Sequence, residues 1–248
     1  MLDHSRAQRI LVVAAHPDDV DFGAAGSVAR WVGEGSEVTY CVVTDGDAGG
    51  FDPSVPRAEI APLRRAEQTA AALEVGVTDL IWLGYPDGRV VVSIELRRDI
   101  ARAIRQVRPN LVVCQSPQRE WSRIVASHPD HLAAGEATIC AVYPDSRNPF
   151  AFPELAEEGW EAHVVDEVFI MGGPDPDTFV EVTETFDRKV AALRAHRSQT
   201  AQHENLEGFL RTWLASNGEQ AGLPPGRLAE VFRRVDTSEI RTDAPVAG

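Results

Sequence analysis

The chain has 248 residues, 44% of them hydrophobic and 25% charged, which is ordinary usage for a folded globular protein and excludes disordered, collagenous and membrane-embedded classes. Its 24 Lys and Arg against 38 Asp and Glu leave a net charge of −14 with histidine neutral, so its surface repels phosphate backbones and anionic headgroups. Nucleic acid and membrane insertion are therefore not expected, and a small-molecule partner is.

The opening apolar run Ile10 to Ala15 is too short for a signal-peptide core, and no segment is long and apolar enough to span a bilayer, so the expectation is a cytoplasmic protein. Arg9 to Ala14 (RILVVA) reads as a buried strand and Ala24 to Gly33 as a helix. Glu37 to Val43 is a second strand, followed by the glycine-rich loop TDGDAGG. Pro62 to Val75 reads as a helix with proline in its first turn and Gly76 just past its end. Asp79 to Leu83 is a third strand, Ser93 to Val107 a helix, Asn110 to Cys114 a strand, His131 to Tyr143 a helix and Val164 to Ile170 a fifth strand. From Glu184 the pattern is helical, and Leu223 to Gly248 is rich in proline and charge. Alternating strands and helices imply an α/β fold, a mostly parallel sheet with helices on both faces, followed by a helical C-terminal extension. No linker divides the chain, so residues 1–248 are expected to form one domain, with a core over about 9–200 and the extension over about 201–248. Cys41, Cys114 and Cys140 lie in apolar contexts without C-x-x-C spacing and read as buried thiols.

In such sheets ligands bind beyond the carboxyl ends of the strands, so the loops after the strands carry the functional reading. The first holds His16-Pro17-Asp18-Asp19, and the loop before the last-named helix holds His128-Pro129-Asp130-His131. One such motif is also turn chemistry, with Asp capping a helix and Pro in its first turn. Capping does not call for histidine at three positions, whereas a divalent metal does. Histidine and carboxylate donors without a thiolate favour Zn²⁺ or a similar ion, and three protein ligands leave a position open, as catalytic zinc sites do. Asp45 to Gly50 could cradle a phosphate, but its two carboxylates oppose an anion and favour a plain turn.

With A-H-P-D-D-x-D-x-G at Ala15 to Gly23 and H-P-D-H at His128 to His131, the sequence resembles the LmbE-like/PIG-L de-N-acetylases. Weaker matches are Thr44 to Asp47, Arg64 to Glu67, Leu83 to Asp87, Arg147 to Phe150 and His196 to Gln199. The resemblance implies a Rossmann-like fold and one Zn²⁺ per chain held by His16, Asp19 and His131, with Asp18 as general base. It also implies His128 as oxyanion stabiliser or proton donor with Asp130 beside it as orienter, and Arg64, Asp87 and, less directly, Asp47 as sugar contacts. Asp21 stands where the family often has Glu, which alters a supporting or capping contact and leaves the ligands untouched.

The implied activity is removal of an N-acetyl group from an N-acetylglucosamine-type sugar or conjugate. Alternatives are an amidase for a larger acyl group or thiol conjugate, and a non-catalytic sugar- or nucleotide-binding protein, although G-x-G-x-x-G is missing after the first strand. Without the family, Arg64 and Arg65 read as a solvated helix face and His196 as a helix-terminal histidine; His4, His163 and His203 read as surface residues. Trp121 fits either the pocket mouth or the core. The run Glu207 to Leu214 fits core, lid or subunit contact, so a homo-oligomer stays open.

Overall fold

A computed structural model of the chain describes residues 8–238. Five parallel strands form most of one sheet: β1 (Arg9–Ala14), β2 (Glu37–Thr44), β3 (Asp79–Tyr85), β4 (Leu111–Gln115) and β5 (Glu167–Met171). Two more, β6 (Thr178–Glu181) and β7 (Ala229–Asp236), complete the order β3-β2-β1-β4-β5-β7-β6, with β7 antiparallel to both neighbours.

Because successive side chains of a strand point to opposite faces, β1 feeds two cores at once. Ile10, Val12 and Ala14 pack on one side with α1 (Asp19–Gly23), α2 (Ala25–Gly33) and α3 (Arg57–Glu74). Leu11 and Val13 pack on the other with α4 (Ile94–Val107), α5 (Pro129–Cys140) and α6 (Pro153–Glu157). The chain returns to the first side with α7 (Phe186–Ala195), α8 (Arg197–Thr200) and α9 (Leu206–Gln220). Among the described residues no helix is long and apolar enough to cross a membrane.

The mostly parallel sheet covered on both faces is the expected class, and several boundaries move for physical reasons. The third helix begins at Arg57, so Pro62 lies inside it rather than in its first turn. The fifth begins at Pro129, with the ring nitrogen of His128 accepting from the Asp130 N–H and proline at its first position. The expected helical C-terminal extension is corrected: α9 ends at Gln220, and 229–236 re-enters the sheet as a strand. Polar periodicity hid that strand, because Glu230 is buried where alternation would place a hydrophobe. Its carboxylate accepts from Gly26 and Ser27 N–H at 3.0 and 2.7 Å and from Lys189 Nζ at 2.7 Å, partners that only the tertiary fold supplies. Four-residue β6 gave too short a pattern to read. Cys41 and Cys114 are buried as expected, whereas Cys140 is half-buried. His4 and residues 239–248 lie outside the described residues.

Candidate active site

The loops after β1, β2 and β3 and the start of α5 meet at one end of the sheet, and the two H-P-D motifs face each other there. The His16, His128 and His131 rings stand 5.0 to 5.3 Å apart, centroid to centroid. One nitrogen of each lies within 4.8 Å of the others.

Hydrogen bonding assigns the ring edges. His131 Nδ1 lies 3.3 Å from the Ala126 carbonyl, which fixes the proton there and turns Nε2 toward Asp19 Oδ1 at 3.0 Å. His16 Nε2 lies 3.2 Å from both Asp87 and Asp130 carboxylates, which leaves Nδ1 facing Asp19 Oδ2 at 3.2 Å. The Asp19 carboxylate thus sits between two ring nitrogens whose opposite edges are already engaged. Histidines held by carboxylate or carbonyl on the far edge are the usual supports of a metal site. Burial opposes a charged His16, but Asp19 and hydrogen bonds to Asp130, Asp19 and Asp87 outweigh it and push the ring up to about 12. Burial likewise works against the Asp19 anion, and His131 and His16 hold it well below the usual carboxylate range. A nitrogen–oxygen cluster this dependent on positive charge fits a divalent cation. The thiols offer no competing donors, since burial pushes Cys41 and Cys114 up to about 12.

Asp18 takes a left-handed backbone, φ 85°, a strained conformation for a residue with a side chain. Its N–H donates to Gln68 Oε1 at 2.8 Å, and its carboxylate accepts from Arg64 Nη2 at 3.0 Å. Burial, then the Asp19 charge, raises its carboxyl to about 7, with Arg64 opposing. That is the range in which a general base works at neutral pH.

Arg64 is buried and also donates to the Pro17 and Gly46 carbonyls at 2.6 and 3.1 Å, while its buried Nε has no partner among the described residues. The glycine-rich loop exists to let it in: a Cβ at Gly46 or Gly49 would stand 2.4 or 2.6 Å from its guanidinium. No phosphate cradle is needed to explain those glycines. Asp87 accepts from the Ala48 N–H at 3.0 Å besides facing His16. Asp47 accepts from the Asp87 N–H at 3.2 Å and pairs with Arg57 at 2.9 Å.

Asp130 calls for a correction. Expected beside His128 as its orienter, it turns its fully buried carboxylate to His16 and to the Gly88 and Val90 N–H groups, at 2.7 and 3.2 Å. His128 is exposed, and burial followed by the neighbouring His16 and His131 charges lowers its ring below the ordinary value. Trp121 is exposed beside Arg119, not in the core. His196 is fully buried, with Nε2 2.8 Å from Asp21 Oδ2, an oxygen that also accepts from Gln68 Nε2 at 2.8 Å. Gln68, absent from the sequence reading, therefore ties Asp18 to the Asp21–His196 pair. Its signal was polar residues at 64, 67 and 68 on the stripe that continues as Ala71 and Ala72.

Comparison with known proteins agrees with this geometry. Residues 11–142 match the PIG-L family model, described as GlcNAc-PI de-N-acetylase. The chain is 30% identical over 230 residues to the diacetylchitobiose deacetylase of Thermococcus kodakarensis, covering 92% of this chain and 83% of that protein. It is 31% identical over 201 residues to a probable N-acetyl-alpha-D-glucosaminyl L-malate deacetylase 2 of Bacillus anthracis, covering 78% and 82%. Among solved structures, the N,N'-diacetylchitobiose deacetylase of Pyrococcus horikoshii superposes with a TM-score of 0.85 at 30% identity, over 96% of this chain and 88% of that one. With motifs, fold and relatives in agreement, the chain belongs to the PIG-L (LmbE-like) family.

Proposed function

We propose that this protein is a zinc-dependent hydrolase that removes the N-acetyl group from an N-acetylglucosamine-type sugar or sugar conjugate. The observation that carries the reading is Asp19 held between His16 Nδ1 and His131 Nε2, next to a carboxyl raised to about 7 at Asp18. His16, Asp19 and His131 would hold the cation. A divalent ion polarises the acetamide carbonyl and acidifies water.

The chain's own residues do the rest. Asp18 accepts the proton of the attacking water, and Arg64 and Gln68 fix its carboxylate and backbone. His128, exposed at the rim and lowered in pKa, stabilises the oxyanion or hands a proton to the departing amine. Asp130 and Asp87 keep His16 in one tautomer. Sugar hydroxyls are assigned to Asp87, Asp47 and the Arg64 guanidinium. Residues 1–248 are read as one domain, since β7 extends the sheet that carries the site.

Zinc-loaded protein should release acetate from N-acetylglucosamine conjugates in preference to acetyl-lysine peptides, lose the activity on chelation and regain it with Zn²⁺. Activity unchanged after complete metal removal, or no acetate from any N-acetyl sugar, overturns the reading.

A further inference from the structure

Between the carboxyl end of β5 and the flank of α9 lies a cavity of about 620 Å³ whose wall includes Asp19 and His131. Whatever enters it is contiguous with the amide at the proposed metal site. The rest of the wall is dominated by Phe22, Met171, Phe209, Trp213 and Val231. Most of its polar side chains are already committed, and of the rest the His203 ring stands 5.8 Å from Phe209, centroid to centroid, at the edge of the wall. Gln115 Oε1 accepts from the Ala15 N–H, Asn217 Nδ2 donates to the Ala229 carbonyl, and Glu230 serves Gly26, Ser27 and Lys189. Arg123 lies over the Trp213 ring, 5.7 Å from its centroid.

Burying sugar hydroxyls against such a wall would leave them without partners, which costs free energy, whereas alkyl or aryl carbon gains from leaving water. The acetyl methyl is far too small to need a space of drug-sized volume. The apolar surface also runs outward: Val125 belongs to the wall and is 79% exposed, and Ile124 beside it is 54% exposed. Exposed apolar groups that continue a cavity mark a binding surface.

We propose that this chamber binds an apolar aglycone, an alkyl or aryl group carried by the N-acetylated sugar. The proposal rests on the deacetylase reading and names its substrate class.

The test compares acetate release from n-hexyl N-acetylglucosaminide, methyl N-acetylglucosaminide and diacetylchitobiose, whose second sugar is polar. The hexyl glycoside should exceed both others in kcat/KM by about tenfold or more, mostly through KM. Phe209→Asn and Trp213→Ser together should bring the hexyl-to-methyl ratio close to one. Phe209 is 49% exposed, so its single variant should fold, and an unchanged Tm checks this. Diacetylchitobiose matching the hexyl glycoside, or a ratio that survives both substitutions, overturns the proposal. So does faster cleavage of methyl N-hexanoylglucosaminide, which would move the apolar group to the acyl side. If none of these substrates is cut, the hydrolase reading fails instead. Calorimetric titration with the hexyl glycoside then decides the chamber alone: binding lost in the double variant supports it, and no binding to the parent protein overturns it.

Discussion

His16-Pro17-Asp18-Asp19 and His128-Pro129-Asp130-His131 share three residues and use them in opposite ways. In the first, the histidine is buried and the third-position Asp18 stands in a left-handed turn with its carboxylate paired to Arg64. In the second, the histidine is exposed and caps α5, while the third-position Asp130 is fully buried and props up His16. Only the fourth residues, Asp19 and His131, do the same thing, meeting at 3.0 Å. The first motif leaves a buried strand through a strained turn, and the second enters a helix whose first turn carries its third residue inward. Backbone context, not side-chain identity, decides which aspartate faces Arg64 in the proposed role of base and which turns to support His16.

Substitutions at matching positions can break this comparison. The largest effect is expected at Asp18→Asn, which should lose activity on the order of 10² to 10⁴-fold while retaining zinc, measured by kcat together with elemental analysis. Loss of zinc with normal turnover after reloading would make Asp18 a ligand instead. Asp130→Ala should do the converse and weaken zinc affinity by about 10 to 100-fold, since His16 loses the carboxylate on its far edge. Competition with a chromogenic chelator reads this directly, and unchanged affinity would deny Asp130 its supporting part.

At His128 two effects separate. His128→Ala and His128→Asn should both slow turnover, but only the alanine variant should lose the helix cap, at a cost of about 1 kcal/mol in thermal unfolding. Equal stabilities would show that the ring does not cap α5. The smallest effect is a displacement in pH. A base at Asp18 works only when ionised, so on the proposed reading kcat/KM should fall as pH drops through its pKa, which is about 7 without metal. Arg64 favours the ionised form, so Arg64→Gln should move that limb to higher pH. A bound cation lowers the limb in both proteins and leaves the sign of the difference intact. A limb that moves to lower pH would contradict the pairing.

The sequence announced the architecture because β1, β2 and β4 are apolar on both faces, and a parallel sheet under two helical layers is what such strands build. It also announced that the two H-P-D motifs meet, because histidine and aspartate at strand ends have few structural uses. The supporting groups were not legible. Gln68 and Glu230 look like solvent-facing residues in a helix and a strand, and their burial follows from partners 41 to 204 positions away in the chain. Asp130 was read with His128 because the two are neighbours in sequence, whereas its carboxylate faces His16 and the Gly88 and Val90 N–H groups.

The seat of β7 between β5 and β6 bears on how the protein is made. Every strand up to β5 can pair as the chain emerges, but the outer edge of β5 has no neighbour until β6, α7, α8 and α9 have been synthesised and β7 follows. Until then the ribosome carries a nascent sheet with an unpaired margin, Val168 and Phe169 on it, open to a strand from any other chain. The margin of β5 is therefore the aggregation-exposed edge of the nascent chain until residue 229 and the strand that follows it have been made.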